Sequence, residues 1–169
     1  MHTEALQMLY DEHQVILQKV HRLRQLLQNE DLSTKQVALK QYITFFRTYG
    51  DAFHHQKEED LLFSFLRLTQ PGLLPIVEAL EEHHEMFREY LSDIEDAVDE
   101  SDWEKVRSLF EKYLSNLEDH ISAEDDELFV SVEMVLSPVE KERLFFAFQD
   151  KDEELGSHLK LQYEQAEIA

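Results

Sequence analysis

The sequence contains no cysteine. That excludes disulfides, zinc ribbons, thiolate-held iron–sulfur clusters and a cysteine nucleophile, and it fits a reducing compartment. Glycine and proline are scarce, three of each in 169 residues. A sheet protein needs many turns, so this scarcity favours a few long helices joined by short loops. No apolar run approaches the roughly 18 residues that a membrane-spanning helix requires. The opening stretch MHTEALQMLYDEH lacks a basic region followed by an apolar one, the pattern of a secretory leader. A cytoplasmic location is the resulting expectation. Positive charge is also short: 16 basic against 37 acidic residues leave a net charge of −21. A polyanion of this strength is repelled by phosphate backbones and anionic lipid, so neither nucleic acid nor membrane is an expected partner.

What is present is apolar residues at helical spacing, in five segments. The first runs from about Thr3 to Gln28, with Leu6, Leu9, Ile16, Val20, Leu23 and Leu27 on one face. The second begins near Ser33, where Ser33-x-x-Gln36 reads as a capping box, and carries Val37, Ile43, Phe46, Leu61, Leu62 and Phe65. Gly50 lies inside it and marks an expected kink or close approach. Gln70-Pro71-Gly72 precedes a third helix, about Leu74 to Val98. Ser101-x-x-Glu104 reads as the cap of a fourth, lined by Val106, Phe110, Leu114, Leu117, Ile121 and Leu128. Ser137-Pro138-x-Glu140 opens a fifth, expected to run to about Tyr163. The expected architecture is all-α: an up-down-up-down four-helix bundle over residues 1–135, with an additional C-terminal helix, residues 136–169, packed on the same domain.

The chain repeats itself. Residues 54–63 read HHQKEEDLLF and residues 120–129 read HISAEDDELF, which align without gaps. Each has a histidine, an acid four residues on, and Leu-Phe at the eighth and ninth positions after the histidine. The first and third helices match more weakly. With His13 and His84 as origins, apolar residues recur at −4 (Leu9, Leu80), +3 (Ile16, Phe87), +7 (Val20, Leu91) and +10 (Leu23, Ile94). The neighbouring His83 fits this frame worse, because its +10 position is Asp93. Each helix pair, roughly 1–67 and 74–135, thus contributes a single histidine and then a His-x-x-x-acid unit.

A helix advances about 100° per residue, so residues four apart share a face. His54 and Glu58 therefore lie on the apolar stripe of the second helix, and His120 and Glu124 on that of the fourth. His13 falls between Leu9 and Ile16, and His84 between Leu80 and Phe87. A single buried histidine is easily satisfied by hydrogen bonds. Four of them with two carboxylates cost several kcal/mol unless strong partners exist, and metal ions are the simplest such partners. Facing helices of a bundle are where carboxylate-rich di-metal sites are built. Imidazole suits iron, zinc, copper or nickel, and carboxylates can bridge two ions. The expected ligands are His13, His54, Glu58, His84, His120 and Glu124. His2 is read as part of a frayed terminus, and His21 and His158 as peripheral. His55 and His83 are placed at the surface or behind the ligands. Glu59, Asp60, Asp125, Asp126 and Glu127 are read as a solvated acidic rim, and Tyr113 as a packing tyrosine.

On Asp-Glu-His13, His54-His-x-x-Glu58-Glu with the following Leu-Phe, His84-x-x-Phe87 and His120-Ile-x-x-Glu124, the sequence resembles the hemerythrin-like, cation-binding family over about residues 5–135. The resemblance implies a non-haem di-iron centre in a four-helix bundle. It assigns His13 and His54 to one iron and His84 and His120 to the other, with Glu58 and Glu124 bridging alongside an oxo or hydroxo group; zinc or manganese are alternatives. The oxygen-carrying members have a further histidine where this chain has Leu80, which leaves six protein ligands here and puts simple oxygen carriage in doubt. The cysteine-containing domain of members that repair iron–sulfur centres is absent. The expected function is binding or sensing of O₂ or a related small ligand such as NO, with any signal passed to a protein partner. The alternatives are a di-iron redox enzyme acting on peroxide or NO, and an iron-handling protein.

Overall fold

The structure is a computed structural model and describes residues 3–168. His2 lies outside the described residues. All regular structure among them is helical. Helix α1 spans Glu4–Asn29. Helix α2 covers residues 36–69 and is continuous but not uniform: Gln36–Phe45 is α-helical, Phe46–His55 and Glu58–Phe63 have the wider π-helical turn, and Ser64–Thr69 is α-helical again. Helix α3 is Leu74–Asp99. Helix α4 covers residues 103–135, with a π-helical turn at Glu124–Leu128 between Trp103–Ala123 and Phe129–Val135. Helices α5 (Pro138–Leu155) and α6 (Ser157–Gln165) complete the chain. No helix among the described residues is long and apolar enough to cross a membrane.

Three local expectations change. The Ser33 capping box does not form. Asp31 instead accepts from the Ser33 backbone and caps a short 3₁₀ turn, and α2 starts at Gln36. At α4 the cap is Asp102, which accepts from Lys105 N, because Ser101 takes a left-handed φ of 58° in the turn before it. Asp and Ser are about equal as N-caps, so the local backbone decides which of them caps, and the helix dipole favours the carboxylate. The expected single C-terminal helix is broken at Gly156, whose φ of 115° suits glycine alone. The Ser137–Glu140 capping box forms as expected. Gly50 sits within the first π-helical stretch, and a side chain there would meet nothing closer than Phe46 Cδ1 at 3.9 Å. It marks irregular helix rather than a close approach.

Helices α1 and α2, α2 and α3, α3 and α4, and α4 and α1 are neighbours, so the first four elements form a closed ring. Their inward residues make two apolar clusters. One includes Leu6, Leu9, Leu62, Phe63, Val77, Leu80, Leu128 and Phe129; the other includes Ile16, Val20, Ile43, Phe46, Phe87, Leu91, Leu114 and Leu117. Each helix passes from one cluster to the other, and the order of passage alternates from helix to helix. The histidines sit at the crossing points. Helix α5 packs on α1 and α2, and α6 returns to α2.

Candidate metal centre

Between the two apolar clusters lie His13, His54, Glu58, His84, His120 and Glu124, none more than 1% exposed. Glu124 Oε2 stands 3.1 Å from His13 Nε2, and its Oε1 stands 3.1 Å from His120 Nε2 and 3.8 Å from His84 Nε2. Glu58 Oε1 is 3.4 Å from His54 Nε2 and 3.7 Å from His84 Nε2. Each carboxylate thus reaches toward histidines of both helix pairs. The Nε2 atoms of His13 and His54 and all four oxygens of Glu58 and Glu124 are buried without an aligned hydrogen bond. Orphaned groups of this kind are rare in protein interiors and call for a missing partner. Here they converge on one place, and the donor set of imidazoles and carboxylates suits a transition-metal cation.

The donors divide into two groups whose ligand atoms lie within 4.8 Å of one another: His13, His54, Glu58 and Glu124, and His55, Glu58, His84 and His120. Glu58 belongs to both. All six sequence-predicted residues are therefore brought together, and His55 joins them. Its burial corrects the placement of His55 at the surface. It is 4% exposed, stacks on His84 with ring centroids 4.0 Å apart and meets the His120 ring edge-on. The physical reason is the π-helical turn, whose i→i+5 bonding fits more residues into each turn than the assumed 100° per residue allows. Neighbouring side chains can then tuck toward the same interior.

Behind the cluster, each imidazole is held at its other nitrogen. His13 Nδ1 is 2.7 Å from Asp125 Oδ1, His54 Nδ1 2.8 Å from Glu12 Oε1, and His84 Nδ1 2.8 Å from Glu59 Oε1. His120 Nδ1 lies 3.2 Å from His83 Nδ1, and His55 Nδ1 3.4 Å from Asp51 Oδ1. A carboxylate at Nδ1 fixes the tautomer that leaves Nε2 free to bind a cation, and it raises the basicity of the ring. Glu59 and Asp125 are therefore more than a solvated rim, whereas Asp60, Asp126 and Glu127 are exposed as expected. Arg88 joins two of these supports: its guanidinium bonds both Asp51 and Glu59 at 2.9 Å. His21 and His158 are exposed, and Tyr113 is a buried packing residue against Phe46 and Phe87.

The electrostatics are those of a site prepared for positive charge. Burial and the Glu124 charge push Glu58 well above the carboxylate range, while His120, His13 and His84 hold Glu124 well below it despite burial. Burial and the nearby His13 depress His54 to about 4, and burial with His84 at its face holds His55 well below the ordinary histidine range. Against its own burial, His13 is raised to about 9 by Asp125 and Glu124.

Sequence reasoning missed Glu12, Asp51, Arg88 and Lys57. The adjacent acids of Asp-Glu-His13 and His54-x-x-x-Glu58-Glu were visible. Nothing in their spacing said which of them would turn inward.

Fold and site together define a helical-bundle protein with a buried histidine–carboxylate centre able to hold metal cations. The model of the hemerythrin HHE cation-binding domain matches residues 4–131, and the chain belongs to that family. No match to a curated protein or to a solved structure accompanies it.

Proposed function

We propose that this protein binds two iron ions, with a bridging oxo or hydroxo group, at the centre described above, and uses them to bind or sense O₂ or a related small ligand such as NO. The observation that carries this reading is the set of buried, unsatisfied donor atoms on Glu58, Glu124, His13 and His54. Those four residues form one donor group, and His55, His84 and His120 form a second with Glu58, which supports a pair of ions rather than one. His13 and His54 would hold the first ion, and His84, His120 and His55 the second. Glu58 and Glu124 would serve both. His55 would supply an imidazole to the half of the site where Leu80 offers none.

The alternating order in which the four helices meet the two apolar clusters supports an up-down-up-down bundle over residues 1–135, with residues 136–169 as an arm on the same domain. Zinc or manganese could occupy the same donors. A cytoplasmic protein with a redox or signalling partner fits this reading.

When bound, the metal pair would supply Lewis acidity and electron transfer. The chain's own part is to fix the imidazoles through Asp125, Glu12, Glu59, His83 and Asp51, and to exclude water with Phe63, Phe87 and Phe129. Phe129 stacks on His13 and Phe63 on His84. The test is stopped-flow spectroscopy of iron-loaded protein with O₂, NO and peroxide. A reversible adduct supports binding or sensing. Sustained turnover with an electron donor would replace that reading with a redox enzyme, and rapid iron loss to a chelator would replace it with iron handling.

A further inference from the structure

The family match ends at residue 131, yet charged groups from beyond it reach the metal centre. Lys160 Nζ, on α6, stands 2.8 Å from Glu12 Oε2 and 2.8 Å from Asp152 Oδ2. Lys57 Nζ, on α2, stands 2.6 Å from the same Glu12 oxygen and 2.7 Å from Asp152 Oδ1. Two lysines and two carboxylates therefore alternate around a closed, electrically neutral ring. Glu12, Lys57 and Asp152 are all buried, and the Lys160 side chain is 13% exposed. The remaining Glu12 oxygen, Oε1, receives His54 Nδ1 at 2.8 Å.

The ring has a consequence for His54. With both ammonium groups on Oε2, the Glu12 carboxylate is held ionised and its plane is fixed, so Oε1 stays available to His54. A hydrogen bond from Nδ1–H keeps Nε2 unprotonated and aimed at the centre. Either lysine alone would neutralise Glu12. Two ammonium groups on one oxygen also fix the plane of the carboxylate, as one does not, and Asp152 balances the second positive charge. The arm is also held elsewhere, where Tyr49 Oη donates to Glu164 Oε2 at 2.8 Å and Lys19 Nζ donates to the Ala166 carbonyl at 2.7 Å. Those two attachments make no hydrogen bond to Glu12 or His54.

We propose that Asp152 and Lys160 are positioning residues of the metal centre: through Glu12, the C-terminal arm sets the orientation of the His54 imidazole and so the hold on the ion beside it. This rests on the metal-centre reading above.

The test uses the full chain loaded with Co(II), whose visible bands report coordination geometry, together with the rate of metal release to a chelator. Lys160→Met should shift the bands and release one ion about tenfold faster, at the low end for loss of a ligand's supporting partner. Lys160→Arg should restore both. The double variant Asp152→Asn/Lys160→Met keeps Lys57 paired with Glu12, so it folds without a stranded charge and should behave as Lys160→Met does. Lys19→Met, which removes the attachment of the same arm at the Ala166 carbonyl, should match the wild type. Superimposable bands and release rates for the wild type and the double variant would overturn the proposal, as would Lys19→Met reproducing the shift. Wild-type protein that takes up no Co(II) overturns the metal-centre reading and this proposal with it. Uptake with unaltered variants overturns this proposal alone.

Discussion

The Nε2 atoms of His84 and His120 stand 3.1 Å apart. His84 is engaged at Nδ1 by Glu59, so in the neutral ring its Nε2 carries a lone pair. His120 Nε2 faces that lone pair at hydrogen-bonding distance, so either a proton or a cation lies between them. In the metal-free chain a neutral His120 can donate Nε2–H to His84, but that bond leaves the four oxygens of Glu58 and Glu124 unpaired. A metal ion that draws on both nitrogens takes the place of that proton and also satisfies the orphaned oxygens beside them.

Metal should therefore stabilise the fold. Ligand present at a hundred times its dissociation constant adds about 2.7 kcal/mol to unfolding. Melting of the wild type with Fe(II) or Zn(II) should move to higher temperature and return when the metal is chelated. His120→Ala should abolish most of the metal-dependent shift, while His158→Ala, on an exposed position, should retain it. Equal shifts in the two variants would contradict the site.

Glu58 and His13 should differ in how much metal each controls. Glu58 belongs to both donor groups and His13 to one. Glu58→Ala should reduce binding of both ions, and His13→Ala chiefly of one, as read by metal analysis after dialysis. Loss of a single ion in Glu58→Ala would show that this carboxylate does not bridge.

His55→Leu tests the donor that the helical wheel hid. The variant keeps the side-chain bulk and removes the imidazole stacked on His84. One ion should bind at least tenfold more weakly while the other is retained, a loss on the scale of a disrupted ligand set. Unchanged stoichiometry and affinity would return His55 to a packing role.

Arg88→Met should loosen the same half of the site from behind. Its guanidinium spans Asp51 and Glu59, which hold His55 and His84. Loss of such support costs about 10- to 100-fold in metal affinity. A competition assay with a coloured chelator reads it directly, and wild-type affinity would count against the link.

Metal uptake should release protons. In the metal-free chain His13 is held up to about 9 by Asp125 and Glu124 against burial, and Glu58 is raised by burial and Glu124. Both protons must leave before nitrogen and oxygen can bind a cation. Affinity should therefore climb with pH until about 9. The sign is opposite for the metal-free fold. Charged His13 contributes stability that is fully present below about 6.5, the ordinary histidine value, and is lost as pH rises through about 9. Proton release in weakly buffered solution, with metal-free melting at the two ends of that window, checks both signs.

Much of this was legible in the sequence, for reasons that particular residues make clear. His13, His54, His84 and His120 fall on apolar stripes, and stripes face the core whatever the details of packing. The His-x-x-x-Glu repeat survives the π-helical turns because the two donors still share a face. His55 was hidden because its placement depends on those turns, which no periodicity announces. Glu12 and Asp152 were hidden for another reason. They look like surface acids until Lys57 and Lys160, 45 and 8 residues away, are folded against them. The cap at Asp102 in place of Ser101 was decided by a left-handed turn residue that the capping box did not foresee.

The most direct measurement is a saturating anaerobic titration of untagged, metal-stripped protein with Fe(II), followed by dialysis and metal analysis. The account predicts two ions per chain, one for each donor group that shares Glu58, with both reduced in Glu58→Ala. Fewer than one ion per chain for Fe(II), Zn(II) and Mn(II) alike would contradict it.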